Sequence, residues 1–552
     1  MKSKSQTFLK RAWVLLFCTI FYQQLVAQVS TVTGIVTDLN GEPVIGANIV
    51  IKENNTGTIT DINGQFSLDK VAGNATLVFS YIGYKTQEVK VTGKKYFVIR
   101  LEDDSQALEE VVVVGYGVQR KSDLTGAVAS VKAEDVIKSM PTANIETALQ
   151  GRLAGVSIVS GSGDPSSAAT IRVRGANSIK ADGGPLVVID GFIGGSLNTL
   201  NPGDIQSVEV LKDASATAIY GSRGANGVIL VTTKAPKVGK VSVDYNGYVN
   251  FKKSYSLPDM LSPGEFAELA NAYGREFYAS AGQDTKVFYT PEEIQGFYNG
   301  GGYDYISNIF RDPAIEHTHE LSVSGGSDKT QFIFSGRYNY NEGIAKESQR
   351  ELINYRLKVD TEILKWLKGG LNFTGSYSKS QGPNFSGWKS ILNEALNQPN
   401  TIQPKDENGN YNNMNLLGEA YNPMGQIWEV NKDGYSYGST LQGYLEATIL
   451  PGLTFRMNQS FYFGNSSALN TDSSESLSGW NNGGMSQANA TTGQNYSWTN
   501  QNILSYVKEF NEKHRINATA VLEQQYSNNF TNISRAKWLV SNIVGANNTS
   551  LG

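Results

Sequence analysis

The sequence predicts a mainly β protein with three parts: an Ig-like β-sandwich, a compact α/β unit, and the first part of a large antiparallel transmembrane β-barrel. Three observations lead there. Of 552 residues only 18% are charged, while Gly reaches 57, Tyr 28 and Phe 22, a turn-rich and aromatic composition that suits strands better than helical bundles. An apolar leader follows a basic N-terminus, and beyond residue 237 apolar and polar residues alternate with a period of two. A 40% hydrophobic share fills cores and excludes disorder throughout. Lys plus Arg at 47 against Asp plus Glu at 51 argues against nucleic-acid binding, which needs a basic excess.

Lys2, Lys4, Lys10 and Arg11 precede the apolar run Ala12 to Tyr22, and Leu25-Val26-Ala27 offers a small residue for cleavage before Gln28. Residues 1–27 therefore read as a secretory signal peptide. An uncleaved anchor is the alternative, but the run falls short of the ~20 residues a spanning helix needs. Cys18, the only cysteine, lies inside this leader, so the mature chain has no thiol for disulfides or metal sites.

Residues 28–103 alternate short β-prone runs with turn signals such as Asn40-Gly41 and Asn63-Gly64, the pattern of a small sandwich. Gly34-Ile35-Val36-Thr37-Asp38, Gly41 to Ala47 and Thr60 to Phe66 resemble the carboxypeptidase-regulatory-like domain, an accessory module. Asp38, Asp61 and Asn63 are conceivable calcium ligands, but Asx residues beside Gly more often make turns.

Residues 104–118 read as a linker. Within it Glu110, Val111, Val112, Val113, Val114 and Gly115 favour an extended backbone, which suits either an ordinary buried strand or a segment that adds to the sheet edge of a partner. Residues 119–236 read as one α/β unit. Asn144 to Leu153 is helix-compatible with Gly155 as its stop, and Thr170 to Arg174 is a strand. Asp190-Gly191 turns a hairpin between Leu186–Ile189 and Phe192-Ile193, and Asp213 caps a helix Ala214 to Tyr220 that Gly221 closes.

Leu200-Asn201-Pro202-Gly203-Asp204-Ile205, then Ser207 to Gly221, then Ser222-Arg223-Gly224-Ala225-Asn226-Gly227-Val228 to Lys234 resemble the signature of SusC/RagA-like TonB-dependent outer-membrane transporters, and the order of segments agrees over the whole chain. The resemblance implies that Glu110 to Gly115 is a TonB box, that 119–236 is the plug, and that Asp204, Lys212, Asp213, Tyr220, Gly221, Arg223, Gly224, Asn226 and Gly227 are its signature residues. It further implies TonB, a SusD-like lipoprotein, outer-membrane lipid and an oligosaccharide or peptide substrate as partners, in the outer membrane of a Gram-negative-type bacterium. No cofactor, catalytic group or metal is implied. For a plug in a polar lumen, Arg172, Arg174 and Arg223 read as partners of acidic wall residues, with substrate contact as the alternative.

Residues 237–552 carry about nine alternating segments, among them 241–251, 331–340, 353–360, 371–377, 441–449 and 496–506. Leu450-Pro451-Gly452 reads as a short periplasmic return, while Gln381 to Gly434 and Asn465 to Gln494 read as extracellular loops. Nine strands are too few to enclose a plug of this size, and the end at Asn547 to Gly552 has no final amphipathic strand, so a partial chain is expected. Trp388, Trp428, Trp480 and Trp498 suit interfacial anchoring or loop packing more than sugar stacking.

The other function classes are weaker. A soluble adhesion or scaffold sandwich would share the alternation. An enzyme finds no support: His317, His319 and His514 form no HExxH, no third ligand accompanies His317 and His319 along their strand, and there is no nucleophile elbow, dinucleotide fingerprint or phosphate loop.

Overall fold

A computed structural model describes residues 29–38, 41–54, 56–81, 84–102, 111–114, 117–120, 128–132, 144–175, 183–197, 200–383, 390–413, 416, 422–481, 483–510, 514–539 and 545–551. The expected leader, Cys18, Trp388, and the Glu110 and Gly115 ends of the expected TonB box lie outside them. The chain forms two compact units, one built on residues up to 111 and one holding the residues from 123 onward.

The first unit has seven strands: β1 (Val29–Thr37), β2 (Asn48–Ile51), β3 (Gly57–Ile59), β4 (Gln65–Ala72), β5 (Thr76–Ser80), β6 (Gln87–Lys90) and β7 (Tyr96–Arg100). They make a three-stranded sheet β4-β1-β7 and a four-stranded sheet β3-β2-β5-β6. Alternate residues of both, including Val32, Val36, Ile49, Phe66, Leu77, Phe79, Phe97 and Ile99, bury into one core, as face-to-face sheets require. Buried Thr60 joins two turns, donating to Val44 O (2.6 Å) and accepting from Ala47 N (2.8 Å). Asp61 Oδ1 accepts from the amides of Asn63 and Gln65, and Asp38 Oδ1 from that of Glu42, so both carboxylates close turns.

The second unit includes most of the two-stranded sheet of β8 (Val111–Val114) and β9 (Gly117–Arg120). Its α/β part contains β10 (Val128–Lys132), β11 (Val156–Val159), β12 (Thr170–Val173), β13 (Leu186–Ile189), β14 (Phe192–Ile193), β15 (Ile205–Leu211) and β16 (Val228–Thr233). Five of these form a mixed sheet in the order β10-β15-β16-β13-β14. Strands β15 and β16 are buried along most of their length, because apolar clusters cover both faces of the sheet. The expected hairpin forms, with Asp190 (φ 50°) and Gly191 (φ 86°) both left-handed, as a two-residue primed turn demands.

Two expected helices are shorter. Only Ile145–Ala148 is helical, capped by Asn144 Oδ1 on Glu146 N (2.9 Å), because Gly151 is left-handed (φ 73°) and the chain unwinds while Leu149 and Leu153 still reach the core. After Asp213 an α-turn (Ala214–Thr217) tightens to 3₁₀ (Ala218–Gly224) and breaks at Gly221. Asp213 has the extended conformation of a cap but makes no side-chain cap bond; its carboxylate pairs with Arg174 instead.

Nine strands follow in one antiparallel meander: β17 (Gly239–Lys252), β18 (Ala314–Gly326), β19 (Thr330–Glu342), β20 (Gln349–Leu364), β21 (Leu367–Gln381), β22 (Val430–Leu450), β23 (Leu453–Asp472), β24 (Gln487–Phe510) and β25 (His514–Lys537). All are longer than the ~9 to 11 residues that cross a bilayer. The connections 327–329, 365–366 and 451–452 lie at one end, and the longer 253–313 and 343–348, with the described parts of 382–429 and 473–486, at the other. That alternation is the membrane-barrel pattern. Asn465–Asp472 and Gln487–Gln494, expected as loop, are instead strand, and β22 takes residues from 430 onward. Ladder pairing there outlasts the hydrophobic alternation, since residues above the apolar band are wet on both faces.

Polarity in this sheet is inverted. Arg337 and Arg356 are 3% exposed, while Phe334 and Leu357, three positions and one position along the same strands and so on the other face, are 43% and 42% exposed. A water-soluble sandwich would place them the other way round. No described helix is long and apolar enough to cross a membrane.

In the first unit, a Cβ on Gly34 would lie 2.2 Å from Phe97 O and 2.7 Å from the Phe66 ring, whereas one on Gly73 meets nothing within 4 Å. Gly34→Val should therefore lower the stability of this unit by about 1–3 kcal/mol, and Gly73→Ala should change it by less than about 0.5 kcal/mol. Urea denaturation of the two variants checks this; equal shifts would contradict the packing described.

Candidate functional site

The α/β part meets the inner face of the barrel wall through polar groups. Arg356 on β20 is the hub. Its Nη2 donates to Thr233 Oγ1 (2.5 Å) and to Lys234 O (3.1 Å), and it lies 4.0 Å from Asp190 Oδ2. Asp190, in the β13–β14 turn, accepts from Thr233 N (2.8 Å) and Thr233 Oγ1 (2.5 Å), and Lys358 Nζ approaches to 3.9 Å. The threonine hydroxyl thus donates to the carboxylate while accepting from the guanidinium, so one turn, one strand end and one wall residue lock together. Around this hub, Asn201 Nδ2 donates to Glu320 Oε1 (2.8 Å) and Ser335 Oγ to Asp204 Oδ2 (2.8 Å). At the rim Arg223 bonds Glu523 (2.7 Å) and Gln525 (3.1 Å).

These contacts differ in strength for a physical reason. Arg223 and Glu523 side chains are 39% and 14% exposed, and a pair wetted like this is worth about 0–1 kcal/mol. The Arg356 side chain is 3% exposed, and removing one partner of a buried ionic cluster typically costs about 3–5 kcal/mol. Between the α/β part and the wall lies a cavity of ≈ 790 Å³, lined by Phe192, Gly195 and Asn201 on one side and Asn372, Gln442 and Tyr462 on the other. Amides and hydroxyls dominate the wall side, a surface that hydrates readily.

The expected signature residues divide into two sets. Asp204 and Arg223 reach the wall. The others serve the interior of the α/β part: Lys212 Nζ donates to Ala154 O, Asp213 pairs with Arg174, Tyr220 is 3% exposed in the core, and Gly224 and Gly227 pack against Thr217 and Val173. Gly221 breaks the helix, and Asn226 opens the turn into β16. Of the three arginines expected to pair with acidic wall residues, Arg223 does so, Arg174 pairs within its own part, and Arg172 is exposed. Val111 to Val114 form β8, paired with β9. The sequence reading missed Asp190, Thr233, Arg356 and Lys358 as a group. Arg356 and Lys358 were legible as inward-facing strand positions, but Asp190 had registered only as a turn residue.

His317 and His319 share the outward face of β18, with rings 5.4 Å apart; His319 Nδ1 bonds Tyr245 Oη (2.8 Å) and His317 stacks on Tyr340. Among the described residues no group of three or more metal-ligating side chains occurs.

Burial pushes the Glu146 carboxyl of the α/β part above its ordinary 4.5, against the opposing bond from Ala169 N. A carboxyl raised on folding is most stabilising when protonated, so the stability it contributes falls as pH climbs through that raised value. Glu146→Gln should flatten the pH dependence of unfolding on the alkaline side of 4.5, which thermal melts across pH 4 to 8 would show. Arg356→Met should loosen the α/β part by about 3–5 kcal/mol, measured as faster proteolysis of residues 120–233 in the detergent-purified protein, while Arg223→Met should change it little.

The comparisons agree with this geometry. Residues 32–113 match the model of the CarboxypepD_reg-like domain, and residues 120–228 that of the TonB-dependent Receptor Plug Domain. TonB-dependent receptor P26 of Formosa agariphila is 35% identical over 97% of this chain and 52% of its own length. TonB-dependent receptor SusC of Bacteroides thetaiotaomicron is 40% identical over 62% of this chain and 33% of its own length. The RagAB peptide importer in its open-open state shares the fold, with a TM-score of 0.64 at 24% identity over 80% of this chain and 52% of that chain. The chain spans about half the length, or less, of the curated relatives it matches. With a regulatory-like domain, a TonB-dependent receptor plug domain and a sheet whose polar face meets that plug, the chain is similar over most of its length to TonB-dependent receptors, SusC among them.

Proposed function

We propose that this chain is the plug-bearing portion of an outer-membrane importer for a large nutrient ligand, a glycan or a peptide, in a Gram-negative-type bacterium. The observation that carries this reading is the way the plug is held: a few buried polar contacts around Arg356, and otherwise contacts that water can replace. Such a stopper separates from the wall without exposing an apolar core. The names of its relatives, a SusC receptor and a peptide importer, point to nutrient uptake of this kind.

In this reading residues 1–27 direct export, 28–103 form the accessory domain, and 104–118 form the linker. The TonB box, Glu110 to Gly115, offers an extended main chain to which TonB pairs as an added strand. Force applied there reaches the plug, residues 119–236, through the covalent chain; once the Asp190–Thr233–Arg356 cluster parts, water fills the ≈ 790 Å³ cavity and widens a path. A SusD-like lipoprotein covers the end that carries the long connections and hands ligand to it. The signature residues act by keeping the plug a rigid body that moves as one piece. No step makes or breaks a bond in the cargo.

Cells carrying the full-length gene should take up labelled oligosaccharide or peptide, and deletion of 110–115 should abolish accumulation while ligand binding to the cell surface persists. Unchanged accumulation in the deletion strain would defeat the proposed coupling.

A further inference from the structure

One turn of the plug meets the wall at a residue that has no side chain. Asn201-Pro202-Gly203-Asp204 leads into β15, with Asn201 as the cap of a 3₁₀ turn over Pro202–Asp204. Asn201 Oδ1 accepts from Gly203 N (3.1 Å), Asn201 O from Asp204 N (3.0 Å) and Pro202 O from Ile205 N, so the turn is closed by its own bonds. Asn201, Pro202 and Asp204 are buried.

Glu320, on β18, lays its carboxylate on Gly203. A Cβ added to Gly203 would lie 1.9 Å from Glu320 Oε1 and 2.4 Å from its Cδ and Oε2, and these are the three atoms nearest to it. Asn201 Nδ2 holds the carboxylate in that place (2.8 Å), while Asp204 Oδ2 accepts from Ser335 Oγ of β19 (2.8 Å). The bonds on either side of Gly203 thus grip adjacent strands of the wall. They also run on into the Arg356 hub, because Asp204 O accepts from Lys234 N (2.7 Å) and Lys234 O from Arg356 Nη2 (3.1 Å). The backbone does not demand glycine here: Gly203 lies outside the left-handed region that Gly191 and Gly221 occupy, so alanine fits the turn and would spare the ordering entropy that glycine costs. What excludes a methyl group is the wall. Room for one appears only when the carboxylate leaves Asn201, taking its bond from a buried amide, or when the turn leaves the wall. Both undo the docking.

We infer that Gly203 is the positioning residue that registers the plug against the wall: its bare Cα is the seat of the Glu320 carboxylate, and the fit of that seat sets how firmly the plug closes the lumen. The inference deepens the import reading and rests on it for the purpose of closure. Closure itself is measured on purified protein with neither ligand nor TonB, so the seat and the import reading fail separately.

The frequency of conducting openings of the full-length protein in planar lipid bilayers decides it. Gly203→Ala should raise that frequency about tenfold over the wild type. Gly161→Ala, at a plug glycine whose Cβ would meet nothing within 4 Å, should leave it unchanged. Glu320→Ala clears the seat, and on that background Gly203→Ala should raise the frequency by less than about twofold further, since the two substitutions remove one shared contact. A turn that needed glycine for its own folding would show the tenfold rise in both backgrounds. Openings of Gly203→Ala at the wild-type frequency, or a rise as large with Glu320→Ala as without it, overturn the proposal.

Discussion

Hydrocarbon offers no partner to a backbone N–H or C=O, so a chain that crosses it in strands must pair each of these groups with a neighbouring strand. The rest of this structure follows from that constraint. Nine strands pair in sequence order with nearly unbroken register, the β24–β25 ladder alone running from Gln487↔Lys537 to Phe510↔His514. Because the side-chain period along a strand is two, a sheet with lipid on one side must turn every second residue inward, and here those residues are Arg, Asn, Gln, Ser and Thr. The polar face this creates has to be filled or hydrated. The plug fills it.

The import proposed above requires a plug that stays in place at rest and moves under load, and so contacts that are specific but replaceable by water. The distribution seen here meets both demands. The dry cluster Asp190–Thr233–Arg356, the buried bond Ser335–Asp204 and the part-buried bond Asn201–Glu320 set the docked position, while the wetted pair Arg223–Glu523 adds orientation at little energetic depth. The plug's apolar residues are sealed in its own two clusters on either face of the mixed sheet. In the proposed import, leaving the wall would therefore expose polar surface while the plug kept its core. The glycines and aromatic of the signature belong to that core, which explains why so many of its residues never touch the barrel.

At the opposite extreme from the short turns, the long connections behave as a small helical layer with its own packing. Ser262 and Thr290 each start a helix with a reciprocal capping box, and Pro follows both caps, so these helices begin where local chemistry tells them to. Their faces meet across more than a hundred residues of sequence, as in the bond from Tyr289 to Thr401 (2.6 Å).

The sequence by itself determined whatever depends on neighbours along the chain. The period-two alternation named all nine barrel strands, turn chemistry named the Asp190-Gly191 hairpin and the Leu450-Pro451-Gly452 return, and the Asx residues of the first domain read correctly as turns. Strand ends and helix lengths were less legible, because ladder pairing carries β23 and β24 past their amphipathic stretch and tertiary packing holds Leu149 and Leu153 without a continuous helix. Which inward residue meets which plug group was decided only by the tertiary structure. Arg356 and Thr233 are 123 positions apart and Arg223 and Glu523 are 300 apart. Periodicity reports the face on which a side chain lies but carries no information about what the fold brings opposite it.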